Sequence, residues 1–233
     1  MITAIVPAAG EGTRINSPLP KQFLKIKNIP IIIYTLFKLE KHPQIDKIVI
    51  ATKKEYIDYL QQLIKEFQLK KIFKITEGGE TRQKSVWKGI CASPESTKLF
   101  LIHDAVRPFV SQKLITEVIK ISLKFNAAIP AIPVRDTLNK VKNGFVKSNI
   151  ERANVFHVQT PQGVKAEIIK ECLNKAISQG IDFPDESTLL LYFGYQVRIV
   201  NGSFLNFKIT YPEDLKLVEK LIDCKIETLL ERE

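Results

Sequence analysis

The chain has 233 residues, 45% of them hydrophobic and 26% charged, and its 35 Lys+Arg against 25 Asp+Glu leave a formal charge of +10. That much apolar side chain offsets chain entropy, which excludes intrinsic disorder as the main state. The basic balance permits an anionic partner, yet runs such as Lys53-Lys54 and Lys70-Lys71 are too short for a nucleic-acid stripe and read as solvated helix faces.

In chain order, residues 2–6 (ITAIV) form an apolar, β-branched run that predicts a strand, followed by a Gly-rich loop. Residues 30–39 predict a helix with Pro30 in its first turn. A strand at 47–51 and a helix at 54–67 follow, the latter with Tyr56, Ile57, Leu60, Leu63, Ile64 and Phe67 at helical spacing. Then come a strand at 71–75, a helix at 81–91, a strand at 99–102, a helix at 112–125 and a strand at 127–132. Strands alternating with helices of this length imply βαβ crossovers and a mostly parallel sheet, and near-continuous apolar strands fit a sheet covered on both faces.

The rhythm breaks after Pro133. Residues 134–158 alternate polar and apolar positions around Asn143-Gly144, a hairpin signal, and predict a projecting β-arm with no helix. Such an arm is costly alone and usually needs a partner, so a homodimer through the arm is expected. Helices near 165–178 and 187–193, a strand at 196–200 and a helix from Pro212 complete a single domain spanning 1–233.

Cys91, Cys172 and Cys224 are far apart and match neither a zinc site nor a disulfide framework, which points to a reducing compartment. No basic region precedes a cleavable apolar stretch at the start, and no apolar run reaches membrane-spanning length. A cytoplasmic protein without membrane or nucleic-acid partners is the expectation.

Chemistry in such sheets gathers at the carboxyl ends of strands, where four unusual segments fall, at residues 7–14, 77–83, 103–108 and 133–137. Gly10-x-Gly12 resembles the dinucleotide fingerprint, but Ile15 occupies the third glycine position, and the Gly-Lys-Ser/Thr of a P-loop is missing. The loop has small residues that let backbone N–H groups approach a ligand, then two cations, Arg14 and Lys21. That combination suits a polyphosphate, although a tight turn with surface cations has the same pattern. Asp104 is a candidate Mg²⁺ ligand at a strand end, or else the cap of the next helix. Gly78-Gly79 is an anion-contacting loop or a bare turn. His103 has no second His nearby and reads as a neighbour that orients Asp104, while Trp87 and the Phe residues read as core.

Taken in order, the segments PAAGEGTR (7–14), LPKQFL (19–24), GGETRQKSV (78–86), HDAVRPFV (103–110), PVRDTL (133–138), ER (151–152), QTPQ (159–162) and NFKITYPEDL (206–215) make a nearly end-to-end pattern. It resembles the 2-C-methyl-D-erythritol 4-phosphate cytidylyltransferase family of the non-mevalonate isoprenoid route. The resemblance implies a Rossmann-like α/β nucleotidyltransferase fold, with helices on both faces of the sheet and a dimerising arm. It also implies Mg²⁺ (or another divalent cation) as cofactor, and CTP and a polyol phosphate as substrates.

Residue by residue, it implies that Ala8, Ala9, Gly10 and Gly12 wrap CTP, with Arg14 and Lys21 on its phosphates. Gly79, Glu80, Ser85 and Ala105 would contact the nucleotide, and Asp104 would help hold the metal. Asp104 and Arg107 would meet the polyol, Thr137, Arg152 and Thr160 would serve the acceptor across a dimer interface, and Lys208 would contact phosphate. Arg14, Lys21 and Lys208 would be the catalytic cations.

Two departures are visible. Pro184-Asp185-Glu186 stands where the family often has Thr-Asp, and Glu80 where it often has Asp. HDAVRPF also occurs in ribitol-5-phosphate cytidylyltransferases, the nearest alternative, but Pro7-Ala8-Ala9-Gly10 and Pro133-Val134-Arg135-Asp136-Thr137 favour methylerythritol phosphate. A non-catalytic nucleic-acid-binding or dimerisation module is the alternative of a different class. The ensemble Arg14, Lys21, Asp104 and Lys208 argues against it.

Overall fold

Strand β1 (Ile2–Ala8) shows why the chain folds in three layers. Its side chains alternate between faces, so Ala4 and Val6 join one apolar cluster while Ile5 joins another on the opposite side. Both clusters are fully covered, as the continuous apolar run predicts. The protein is described by a computed structural model covering residues 1–15 and 17–224.

After β1 come the two-residue strands β2 (Lys25–Ile26) and β3 (Ile29–Pro30), then α1 (Ile31–Lys41), β4 (Lys47–Thr52), α2 (Ile57–Glu66), β5 (Ile72–Glu77), α3 (Arg82–Cys91) and β6 (Leu99–Ile102). These are followed by α4 (Gln112–Phe125), β7 (Ala127–Pro133), β8 (Leu138–Lys142), β9 (Phe145–Ile150), β10 (Phe156–Val158) and β11 (Gln162–Lys165). The chain continues through α5 (Ala166–Ser178), α6 (Glu186–Tyr192), β12 (Arg198–Asn201) and α7 (Pro212–Asp223).

The main sheet runs β5-β4-β1-β6-β11-β7, with β10 and β12 also pairing β7. The β5-β4-β1-β6 half is parallel throughout, whereas β11 is antiparallel to both β6 and β7, β10 is antiparallel to β7, and β12 is parallel to it. Helices α1, α2 and α4 cover one face through Ile33, Leu36, Leu60, Leu63, Ile115 and Val118. Helices α3, α5 and α6 cover the other through Val86, Ile90, Ile169, Leu173 and Leu190. Among the described residues no helix is long and apolar enough to cross a membrane.

Several sequence expectations need correction. The segment 54–67 begins as a 3₁₀ turn (Lys54–Tyr56) before α2, and Pro30 precedes α1 as its N-cap rather than lying in its first turn. Strand β11 is absent from the sequence reading because Gln162-Gly163-Val164-Lys165 has little apolar character. Its Gly163 admits α4 so closely that a Cβ there would lie 2.3 Å from Ser122 Oγ.

Within 134–158 only β8 and β9 form the projecting hairpin, turning at Asn143 (φ 52°) and Gly144 (φ 80°), while β10 returns to the main sheet against β7. Phe73, Phe145, Phe156 and Phe204 are exposed rather than core, and Trp87 is partly buried against the α3/α5/α6 layer.

Candidate active site

The loop after β1 is shaped by a side chain from the second motif. Gln22 is buried, and its Nε2 donates to the carbonyls of Ala8 (2.6 Å) and Gly10 (3.0 Å). Because C=O and N–H point opposite ways across a trans peptide, this directs the Ala9 and Glu11 N–H groups away from Gln22. The chain then enters a 3₁₀ turn, Thr13–Ile15, and not the long helix a dinucleotide fingerprint would open. Lys21 and Arg14 follow the loop as the sequence suggests. Lys21 Nζ donates to the Ile209 carbonyl (2.8 Å), and the exposed Arg14 guanidinium lies 5.7 Å from the centre of the Tyr211 ring. Burial, reinforced by repulsion from Lys208 and Arg14, lowers the Lys21 pKa to about 8.

Asp104, just past the end of β6, caps no helix; Ser111 caps α4 instead. The Asp104 carboxylate is buried among cations. Oδ1 accepts from Arg82 Nε (3.3 Å), and Oδ2 accepts from Arg107 Nε (3.2 Å) and Lys208 Nζ (3.1 Å). Burial alone would raise its pKa, but Lys208, Arg82 and Arg107 outweigh that and hold the carboxyl well below the usual range.

Behind it lies a closed hydrogen-bond set. The Asp104 N–H donates to Thr160 Oγ1 (3.1 Å), whose hydroxyl sits 2.9 Å from His103 Nδ1, while His103 Nε2 is 3.2 Å from the Arg107 carbonyl. One proton arrangement satisfies all three: Thr160 donates to Nδ1, and a neutral ring donates from Nε2. Burial favours that neutral ring, lowering the His103 pKa to about 4. His103 therefore does orient Asp104, but through Thr160. Asn206 ties the set to the last motif, accepting from Arg107 Nη1 through its carbonyl (2.8 Å) and donating from Nδ2 to the Thr160 carbonyl (2.8 Å).

The third wall is the turn between β5 and α3. Ser85 Oγ accepts from the Gly79 N–H (3.0 Å) and lies 2.9 Å from the Thr81 carbonyl, so its hydroxyl is spent shaping the turn. The Glu80 carboxylate is exposed and paired with Lys84 (2.6 Å). Arg82, to which the third motif lends no evident role, reaches both Asp104 and Glu186.

One cavity of about 270 Å³ joins these walls. Its lining includes Ala8, Ala9, Gly10, Gly12, Arg14, Lys21, Gly79, Glu80, Ser85, Asp104, Ala105 and Lys208, together with Gln22, Thr81 and Arg82, which the sequence reading did not assign. Arg107 and Thr160 are buried behind Asp104 and do not line it. Thr137 and Arg152 stand exposed at the base of the hairpin, outside the cavity, where Arg152 Nη1 donates to the Arg135 carbonyl.

Among the described residues no three His, Cys, Asp or Glu side chains group together as a metal cage. Asp104 is the buried carboxylate on the cavity wall. It would offer Mg²⁺ only oxygens already shared with Arg82, Arg107 and Lys208, so substrate phosphates would supply most of the coordination.

Residues 2–223 match the model of the 2-C-methyl-D-erythritol 4-phosphate cytidylyltransferase family. The protein of that name from Clostridium novyi (strain NT) is 39% identical over 222 residues, covering 94% of this chain and 96% of the relative. The 4-diphosphocytidyl-2C-methyl-D-erythritol synthase of Anaerococcus prevotii DSM 20548 has the same fold at a TM-score of 0.83 and 27% identity, covering 96% of each chain. The 2-C-methyl-D-erythritol 4-phosphate cytidylyltransferase of Thermus thermophilus does so at 0.80 and 31% identity, covering 94% of this chain and 98% of that one. With five of its motifs lining one cationic cavity and matches running almost end to end, the chain belongs to the 2-C-methyl-D-erythritol 4-phosphate cytidylyltransferase family.

Proposed function

We propose that this protein transfers the cytidylyl group of CTP to 2-C-methyl-D-erythritol 4-phosphate, giving 4-diphosphocytidyl-2-C-methyl-D-erythritol and pyrophosphate in non-mevalonate isoprenoid synthesis. The observation that carries the reading is the meeting of Lys21, Lys208 and Arg14 with the Ala8–Gly12 backbone around one cavity.

A phosphomonoester is already ionised near neutral pH, its second pKa being about 6. The nucleophile needs no general base, and the site's histidine is unsuited to be one, since both His103 ring nitrogens are engaged within the protein. The task is to bring that dianion to the α-phosphate of an anionic triphosphate and to stabilise charge moving onto pyrophosphate. Arg14 and Lys21 take the triphosphate, Lys208 neutralises the approaching groups, and Gly79, Glu80, Ser85 and Ala105 hold the base and ribose through the backbone that they shape. Attack in line, with inversion at phosphorus, follows from separating the two anions on opposite sides of the transferring phosphoryl group. Asp104, with phosphate oxygens, would hold Mg²⁺, which supplies Lewis-acid stabilisation of the leaving pyrophosphate when bound.

Thr137 and Arg152 serve the acceptor from a second subunit, with Arg152 on its phosphate, because in their own chain they lie outside the cavity. The hairpin exposes Val141, Phe145 and Val146, apolar surface that a second copy would cover. On this reading the described residues act as a single catalytic domain with a dimerising arm.

Pyrophosphate release measured with each of CTP, ATP, GTP and UTP, and with methylerythritol phosphate or ribitol phosphate as acceptor, tests the reading. The largest kcat/KM is expected for CTP with methylerythritol phosphate. No release with that pair, Mg²⁺ being present, would overturn it.

A further inference from the structure

Arg82 and Glu186 begin two different helices, α3 and α6, and meet at the cavity wall. Two parallel bonds join them, Nη1 to Oε1 at 2.7 Å and Nη2 to Oε2 at 3.0 Å, and Glu186 is almost fully buried. The remaining face of the guanidinium, Nε, reaches Asp104 Oδ1. A bidentate pair fixes the guanidinium plane as well as its position, which a lysine cannot do.

The segment carrying Glu186 is itself tied down from two sides. From α3, Gln83 donates to the Ile181 carbonyl (2.9 Å) and accepts from the Phe183 N–H (2.9 Å). From β11, Gln162 donates to Asp185 Oδ2 (3.1 Å) and accepts from the Ser187 N–H (3.0 Å). Asp185 caps α6 by accepting from the Thr188 N–H (2.8 Å). Glu186 therefore presents a carboxylate whose place is set by the fold, and Arg82 transmits that place to Asp104.

We propose, on the cytidylyl-transfer reading above, that Arg82 is a positioning residue for the reaction: held by Glu186, it fixes the Asp104 carboxylate so that Oδ2 is presented to Lys208 and Arg107. A pair that only stapled α3 to α6 would not need the third bond, nor a place on the cavity wall. Arg82 has both. Without Arg82, Asp104 keeps its partners on Oδ2 alone and can rotate about them, carrying Lys208 with it. Small misplacements of reacting groups cost about 10²-fold in rate.

The test is a double-mutant cycle on Arg82→Gln and Glu186→Gln, read by steady-state pyrophosphate release, with thermal melting alongside. Arg82→Gln is expected to lower kcat about 10²-fold while KM for CTP changes much less. Glu186→Gln should lower kcat about tenfold, and the double variant should be no slower than Arg82→Gln, because Glu186 acts through Arg82. Arg82→Lys, which keeps the charge but not the fork, should recover only a small part of kcat. Retention of kcat within about twofold in Arg82→Gln, or losses that multiply independently in the double variant, would overturn the proposal. If Arg82→Gln does not fold, Glu186→Gln decides alone: an unchanged kcat overturns the proposal, and a tenfold loss at an unchanged melting temperature supports it. An inactive wild type would count against the function reading, whereas an active wild type with indifferent variants counts against Arg82 only.

Discussion

Gly12 lies directly against the stem of Lys21: with φ at +70°, a Cβ on Gly12 would fall 2.7 Å from Lys21 Cγ. The glycine therefore does two things at once, adopting a left-handed conformation and leaving room for the cation that follows in the next motif. Gly12→Ala is expected to displace Lys21 and raise KM for CTP at least tenfold, with a melting temperature lowered by a few degrees, consistent with about 1 kcal/mol of backbone strain. CTP titration and thermal melting check both. An alanine variant that binds CTP normally would show that the Lys21 stem moves aside freely.

The lowered Lys21 pKa sets an alkaline limit. In the free protein the ammonium form predominates below pH of about 8 and is lost above it. On the proposed assignment the triphosphate binds the ammonium, so kcat/KM for CTP, which reports the free enzyme, should be flat below that pH and fall as pH rises through it. Bound phosphates favour the charged form, so kcat should hold to higher pH than kcat/KM. Lys21→Arg keeps its charge across this range and should abolish the alkaline limb while reducing the absolute rate. A wild-type profile of kcat/KM level to pH of about 10 would contradict the assignment of Lys21 to the triphosphate.

Much of this arrangement is legible in the sequence, for physical reasons that differ by element. The parallel half of the sheet announces itself because β1, β4 and β6 are buried on both faces and read as unbroken apolar runs. The hairpin turn is legible because Asn-Gly tolerates positive φ at both positions, as Asn143 and Gly144 show. Arg14, Lys21 and Asp104 stand out because each lies at a strand end or in the loop that follows one, whereas Lys208 is legible only through the family resemblance.

Gln22 and Arg82 lie within motifs, but neither they nor Glu186 carry a mark of their roles, which exist only through partners elsewhere: Gln22 works on carbonyls 12 and 14 residues away, and Arg82 on a carboxylate 104 residues away. No local periodicity encodes such pairings. The same limit hides β11, whose place in the sheet depends on β6, β7 and α4 closing around it. Arg107 and Thr160 are recognisable as site residues, but burial turns them inward to hold Asp104 rather than outward to the cavity.

The Thr160–His103 contact makes a stability prediction with a defined sign. Thr160→Val removes the acceptor for the Asp104 N–H and the donor for His103 Nδ1 at a buried site, and should destabilise the fold by about 1–3 kcal/mol in urea denaturation. Thr160→Ser keeps both bonds and should lose much less. The ring itself is neutral in the folded state down to pH of about 4, whereas an unfolded histidine gains its proton near 6.5. Between those values the unfolded chain binds more protons, so this group's contribution to stability falls as pH falls from about 6.5 to about 4. His103→Gln should flatten that part of the stability profile relative to wild type, because carboxylate titrations are common to both proteins. Parallel profiles for the two would mean that His103 is charged in the fold.

The proposed completion of each site by an arm from another subunit has a consequence that single variants cannot mimic. Lys21→Gln disables the cavity of its own chain, whereas Arg152→Gln disables the cavity of its partner. Mixed and refolded together, the two inactive proteins form heterodimers in which one cavity has an intact Lys21 and receives an intact Arg152, while the other has neither. With random pairing, half of the dimers are mixed and half of their sites are whole, so about one quarter of wild-type activity should return. Phe145→Glu, placed on the exposed hairpin, should shift the mass in sedimentation from dimer to monomer and lower activity in a concentration-dependent way. No recovery in the mixture, despite a dimeric mass, would mean that each subunit supplies its own Arg152, or that Arg152 does not serve the acceptor at all.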